Sequence, residues 1–115
     1  MRKISYKEMK ALRNFIRENE PREYIRRSTS EAGYQLLFVK KKHFDKLRVC
    51  VDYRQLNDIT VKDSTPLPRI DETLDQLHEA DEFTKLDIVG AYYRIRMKKG
   101  EEWKTAFRTR YEHFE

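Results

Sequence analysis

Apolar residues first recur at helical spacing. Met9, Leu12 and Ile16 form a stripe that Phe15 widens, with Arg13, Arg17 and Glu18 outward. This predicts an amphipathic helix over residues 6–20, ended by Pro21. Ser28-Thr29-Ser30 and Gly33 read as a loop. The spacing then changes to strand-like. Leu36-Leu37-Phe38-Val39 and residues 47–53 predict two strands around a charged tip at residues 40–46, a hairpin with a basic turn. In the second strand Leu47, Val49, Val51 and Tyr53 alternate with Arg48, Cys50, Asp52 and Arg54, so one face is apolar and the other charged.

Pro66 and Pro68 hold residues 64–68 extended, because proline disfavours helical geometry in the residue before it. This stretch reads as a crossing between two subregions. Ile70, Leu74 and Leu77 then share one face of a predicted helix whose first turn carries Asp71 and Glu72, the charge its dipole favours. Residues 83–88 predict a central strand, although their alternation is not clean. A turn at 89–92 leads to residues 94–98, where Ile95 and Met97 oppose Arg94, Arg96 and Lys98. Gly100 marks a turn, residues 103–110 predict another strand, and residues 111–115 its short return partner. No βαβ order repeats, so the fold class is α+β.

Composition bounds the rest. At 115 residues the chain is at most one small domain or part of a larger one. Hydrophobic residues make up 38% and charged residues 39%, so the core is small. Lys and Arg number 25 against 20 Asp and Glu, a net +5 that favours nucleic-acid contact without establishing it; solvated charge on helices is the equal alternative. One cysteine, Cys50, excludes an internal disulfide and fits an intracellular, reducing compartment. No apolar run approaches the ~20 residues of a membrane span, so no membrane partner is expected. His43, His78 and His113 are too scattered to form a zinc site with Cys50.

The chemistry concentrates in Phe83-Thr84-Lys85-Leu86-Asp87-Ile88-Val89-Gly90-Ala91-Tyr92, with one carboxylate at the end of a predicted strand and an aromatic five residues on. That suits half of a two-metal phosphoryl-transfer site, because two divalent ions about 4 Å apart need several carboxylates to offset their repulsion; from residue types alone, an Asp after a strand is more often a helix cap or a surface charge. The run from Leu86-Asp87 through Gly90-Ala91-Tyr92-Tyr93-Arg94-Ile95 resembles the first catalytic motif of gypsy-type LTR retrotransposon reverse transcriptases. Further blocks follow that family's order: Arg27-Ser28-Thr29-Ser30, Leu37-Phe38-Val39-Lys40-Lys41-Lys42, Arg48-Val49-Cys50-Val51-Asp52-Tyr53-Arg54-Gln55-Leu56-Asn57, Pro66-Leu67-Pro68-Arg69-Ile70-Asp71 and Trp103-Lys104-Thr105-Ala106-Phe107-Arg108-Thr109. The resemblance covers residues 6–115.

It implies a partial right-hand polymerase fold with an incomplete sheet. Residues 1–27 would be an N-terminal helix and its lead-in segment. Residues 28–68 would be the fingers hairpin and proline-containing crossing, and residues 69–115 the start of the palm. Asp87 resembles the first metal-binding aspartate, joined by the backbone carbonyl of Ile88. Tyr92 resembles the steric gate against a ribose 2′-hydroxyl, and the small Gly90 and Ala91 let sugar and triphosphate approach the backbone. Arg48 resembles the arginine that contacts the triphosphate, a role its planar fork suits. Lys41, seven residues before Arg48, is favoured over Lys40 and Lys42 as its partner. Asp52, Arg54 and Asn57 lie in the block that tracks the template, although Asp52 and Arg54 equally suit pairing with each other. Tyr53, Trp103 and Phe107 read as core.

The activity implied is DNA synthesis on an RNA or DNA primer–template from deoxynucleoside triphosphates, with two Mg²⁺ ions, in a cytoplasmic particle or the nucleus. The family's Tyr-x-Asp-Asp hairpin is not in this sequence; after Asp87 the only acids are Glu101, Glu102, Glu112 and Glu115. The chain is therefore expected to be a fragment of a Pol polyprotein that does not polymerise alone. A non-catalytic nucleic-acid-binding remnant, or a fragment docking on an intact polymerase, are the alternatives. His43-Phe44-Asp45-Lys46 replaces the family's Asp-Gly turn at the fingertip, and Glu23, Glu31 and Glu112 stand where relatives tend to have Gly or Pro. A non-glycine residue at positive φ costs roughly 1 kcal/mol.

Overall fold

The computed structural model describes residues 3–41 and 46–115. Lys42 and the His43-Phe44-Asp45 part of the fingertip lie outside the described residues. The chain divides into two compact units, residues 1–59 with 96–115, and residues 60–95.

The first unit starts with α1, Tyr6–Asn19, close to the predicted helix. Its start is fixed by a reciprocal cap. The Ser5 side chain accepts from the Glu8 amide, and the Glu8 carboxylate accepts from the Ser5 amide at 2.7 Å. At its end buried Asn19 is satisfied by donating its side-chain amide to the Phe15 carbonyl at 2.7 Å. Strands β1, Leu36–Lys40, and β2, Leu47–Val51, pair antiparallel with Leu36 opposite Val51 and Val39 opposite Arg48. Leu47, Val49 and Val51 are half-buried and Arg48 is exposed, as the alternation predicts, whereas Cys50 on the face of Arg48 is half-buried too.

The second strand stops two residues short of the expected Tyr53. Asp52 and Tyr53 lead into α2, Arg54–Ile59, a helix that the sequence pattern did not reveal. The Asp52 carboxylate accepts from the Arg54 amide at 3.2 Å, turning the backbone out of the strand.

Residues 103–110 do not form one strand. Glu102–Thr105 is a 3₁₀ turn, and β3 is only Phe107–Arg108, paired with β4, His113–Phe114. The return partner expected at residues 111–115 is therefore present and short. Because the turn interrupts the period of two, Trp103 is 49% exposed while Phe107 is 3% exposed, so Trp103 is not core. Phe107 stacks on Phe114 and meets Phe15 edge-on at 6.4 Å; Ile25 completes the buried cluster, with Ile16, Leu36 and Val51 packed against it.

The serine loop is a clasp between chain ends. The Ser28 amide donates to the His113 carbonyl at 2.9 Å, and the Ser30 hydroxyl to the Trp103 carbonyl at 2.8 Å. Arg26 holds the Glu115 carboxylate at 2.7 Å. The Ser28 hydroxyl, then Arg26, lower the Glu115 pKa from its ordinary value.

In the second unit α3, Ile70–Leu77, forms as expected, and α4 is a single turn, Ala91–Arg94. The expected central strand at residues 83–88 is absent. Sheets among the described residues comprise only the β1–β2 and β3–β4 pairs, and a strand without a paired neighbour has no ladder to satisfy its backbone. The α4 turn also replaces the start of the alternation at residues 94–98, which joins no strand. Every residue from 60 to 95 is exposed. No helix among the described residues is long and apolar enough to cross a membrane.

Candidate functional site

The sequence-derived residues fall into two groups, one in each unit. On the β1–β2 hairpin the register puts Leu37, Val39, Arg48 and Cys50 on one face, and Leu36, Phe38, Leu47, Val49 and Val51 on the other. Leu36 and Val51 pack on the core, so Arg48 belongs to the outward face. The Lys41 amide donates to the Lys46 carbonyl at 3.0 Å, extending the ladder toward the tip. By that alternation Lys41 and Lys46 share the face of Arg48, and all three are exposed. Arg48 is exposed and makes no ion pair with a described residue. A cationic face of this kind attracts clustered phosphate charge.

Asp52 and Arg54 do pair with each other. Arg54 donates from Nε at 2.8 Å and from Nη2 at 2.6 Å to the two carboxylate oxygens, a bidentate geometry. The guanidinium hydrogen bonds, helped by the Arg54 amide, lower the Asp52 pKa to about 2. Arg54 nevertheless remains exposed, and its remaining N–H groups face outward. Asn57 lies on α2, where its amide donates to the Tyr53 carbonyl at 2.8 Å. Tyr53 behaves as core. Its hydroxyl donates to the Thr105 carbonyl at 2.7 Å, its ring meets Tyr34 edge-on at 5.4 Å, and burial pushes its pKa up to about 12.

In the second unit Asp87 is exposed and makes no hydrogen bond or ion pair with a described residue. Gly90 takes φ 64 at the start of α4, a left-handed conformation that glycine adopts without strain. Tyr92, the second residue of α4, is 93% exposed, and Ile88 is 67% exposed. The fit to a pair of divalent ions fails on this donor set. Asp87 is a single carboxylate, and no group of three or more His, Cys, Asp or Glu among the described residues could hold a metal.

Charge separates the units as sharply as burial. Residues 60–95 carry eight Asp and Glu against four Lys and Arg; the other unit carries twelve against twenty-one. Part of that basic surplus lines an open groove of about 370 Å³ between α1 and the β3–β4 turn, with Arg13, Arg17 and Arg27 around Ile16 and Phe114. The sequence reading placed Arg13 and Arg17 outward but did not identify this groove. The available signal was Lys10, Arg13 and Arg17 recurring at helical spacing.

The reverse transcriptase (RNA-dependent DNA polymerase) family profile matches residues 39–114. An RNA-directed DNA polymerase homolog of Oenothera berteroana is 48% identical over 69 residues, 60% of this chain and 49% of that protein. The retrovirus-related Pol polyprotein from transposon 297 of Drosophila melanogaster is 36% identical over 106 residues, covering 89% of this chain and 10% of the polyprotein. The transposon Tf2-3 polyprotein of Schizosaccharomyces pombe is 38% identical over 100 residues, covering 87% and 7%. The chain thus spans about half of one such relative and a tenth or less of the other two.

Proposed function

This chain belongs to the reverse transcriptase (RNA-dependent DNA polymerase) family, and from that premise we propose that it is the fingers and early palm of a gypsy-type retrotransposon enzyme. Residues 1–27 are the N-terminal helix and lead-in, residues 28–68 the fingers hairpin and crossing, and residues 69–115 the start of the palm. The observation that carries the reading is the family match over residues 39–114, which takes in Arg48 and Asp87 together.

In this reading the outward face of the hairpin, Arg48 with Lys41, meets the triphosphate of a deoxynucleotide, where fixed cations offset its charge. Tyr92 crowds the 2′ position of the sugar, and its exposed ring on the α4 turn supports that role. Gly90 and Ala91 keep the turn small beneath the sugar. Asp52, Arg54 and Asn57 track the template through the outward N–H groups of Arg54 and the polar surface of α2. Asp87 and the Ile88 carbonyl contribute to a Mg²⁺ site whose other acids this chain does not supply. Exposed Leu86, Ile88 and Val89 support the assignment of their segment to a palm sheet that other strands would cover.

Alone, the chain binds primer–template in a salt-sensitive way and does not extend it. The test is a chimera in which residues 39–114 replace the corresponding segment of a complete reverse transcriptase. Template-dependent extension should survive the exchange and be lost on Asp87→Asn. An active Asp87→Asn chimera would overturn the role given to Asp87, and extension by the 115-residue chain itself would overturn its inactivity alone.

A further inference from the structure

We propose that the groove between α1 and the β3–β4 turn is a second contact for single-stranded nucleic acid, separate from the hairpin. Arg13 and Arg17 stand one turn apart on α1, about 6 Å along its axis. Both are exposed, and neither makes an ion pair or hydrogen bond with a described residue. The groove's two carboxylates are already engaged, since Arg27 approaches Glu112 at 2.9 Å and Glu20 at 3.5 Å. Arg13 and Arg17 are therefore left to meet an incoming anion. Arg13 also lines an adjoining hollow of about 230 Å³ with Lys10 and Tyr6, so the positive track continues along the helix.

The floor and rim narrow the choice of anion. Ile16 and Phe114 form an apolar floor, and the Tyr111 ring, 49% exposed, stands at the rim with its hydroxyl 4.0 Å from Met9 Sδ. Cations beside an available aromatic face suit a phosphate chain whose bases are unpaired, because each base can stack while successive phosphates meet the guanidiniums. A duplex hides its base faces, and an acidic peptide has no such flat face to place on Tyr111. At about 370 Å³ the groove is large enough for one nucleobase. This contact does not depend on which hairpin residues meet a triphosphate.

The test measures anisotropy of a fluorescent oligo-dT bound to the 115-residue chain across a salt series. Arg13→Ala/Arg17→Ala should weaken binding roughly tenfold or more at low salt and flatten the salt slope by about 1.4, or 0.7 per lost phosphate contact. Tyr111→Leu should weaken binding about tenfold and leave that slope unchanged. An abasic oligomer should bind the parent chain about as weakly as oligo-dT binds Tyr111→Leu. Arg48→Ala provides the separation from the hairpin. If it alone weakens binding, the groove proposal fails; if the groove variants weaken binding, with or without an effect of Arg48→Ala, the groove stands as a separate contact. Equal competition by poly-glutamate of matched charge would reduce the groove to a non-selective basic surface and overturn the proposal. Circular dichroism should show all variants folded, since the substituted side chains are exposed or half-exposed.

Discussion

Residues 60–95 and the unit that flanks them solve opposite problems. The flanking unit buries Phe107, Phe114, Ile25, Leu12 and Ala106, and is strongly basic. Residues 60–95 bury nothing, are acidic, and hold Asp87 and the Gly90-Ala91-Tyr92 turn. Local order in each has a different source. In the first unit, helix α1 and the hairpins are held by a shared apolar cluster and a clasp between distant segments. In the second, order rests on short-range devices such as the left-handed Gly90 and the Arg69–Asp71 ion pair at 2.8 Å. Devices of that kind are worth little individually, because exposed ion pairs typically contribute no more than about 1 kcal/mol. A sequence segment that resembles a family motif therefore does not bring a self-supporting structure with it.

The comparison breaks most decisively at the core. Phe114→Ala should destabilise the first unit by about 3–5 kcal/mol in urea unfolding, since it removes a ring from a packed cluster. A loss below about 1 kcal/mol would mean that the cluster does not hold that unit together. Backbone strain comes next. Glu23 is the one non-glycine residue at positive φ among those described, at 57°, so one of the three anticipated Gly-or-Pro positions is strained and Glu31 and Glu112 are not. Glu23→Gly should stabilise by up to about 1 kcal/mol, read from the same unfolding curve.

Leu86→Ser should change stability by less than about 0.5 kcal/mol, because this leucine is 86% exposed. Amide hydrogen exchange would sharpen the contrast, with residues 60–95 exchanging before α1 and the β1–β2 hairpin. A large loss from Leu86→Ser would show that the second unit has a core after all. The smallest effect concerns Asp52. Its folded pKa of about 2 lies below its ordinary value of 3.8, so its contribution is complete above about pH 4 and fades as the pH falls toward 2. Carboxyl NMR should place the Asp52 midpoint near 2, and Arg54→Gln should raise it toward the ordinary value.

The sequence alone determined what depends on neighbours along the chain. The α1 stripe, the alternation in residues 47–51, the α3 face and the Gly90 turn are each written in local spacing or conformational preference, and the family could be read from motif blocks in order. Tertiary structure decided what depends on partners far away in sequence. Residues 83–88 have strand-like composition but no strand, because a ladder needs a neighbour that composition cannot provide. Trp103 and Phe107 look alike as apolar positions, yet the 3₁₀ turn that contains Trp103 leaves it outward while Phe107 enters the core. The Arg13–Arg17 groove exists only because the β3–β4 turn comes to rest against α1, some ninety residues away in the chain.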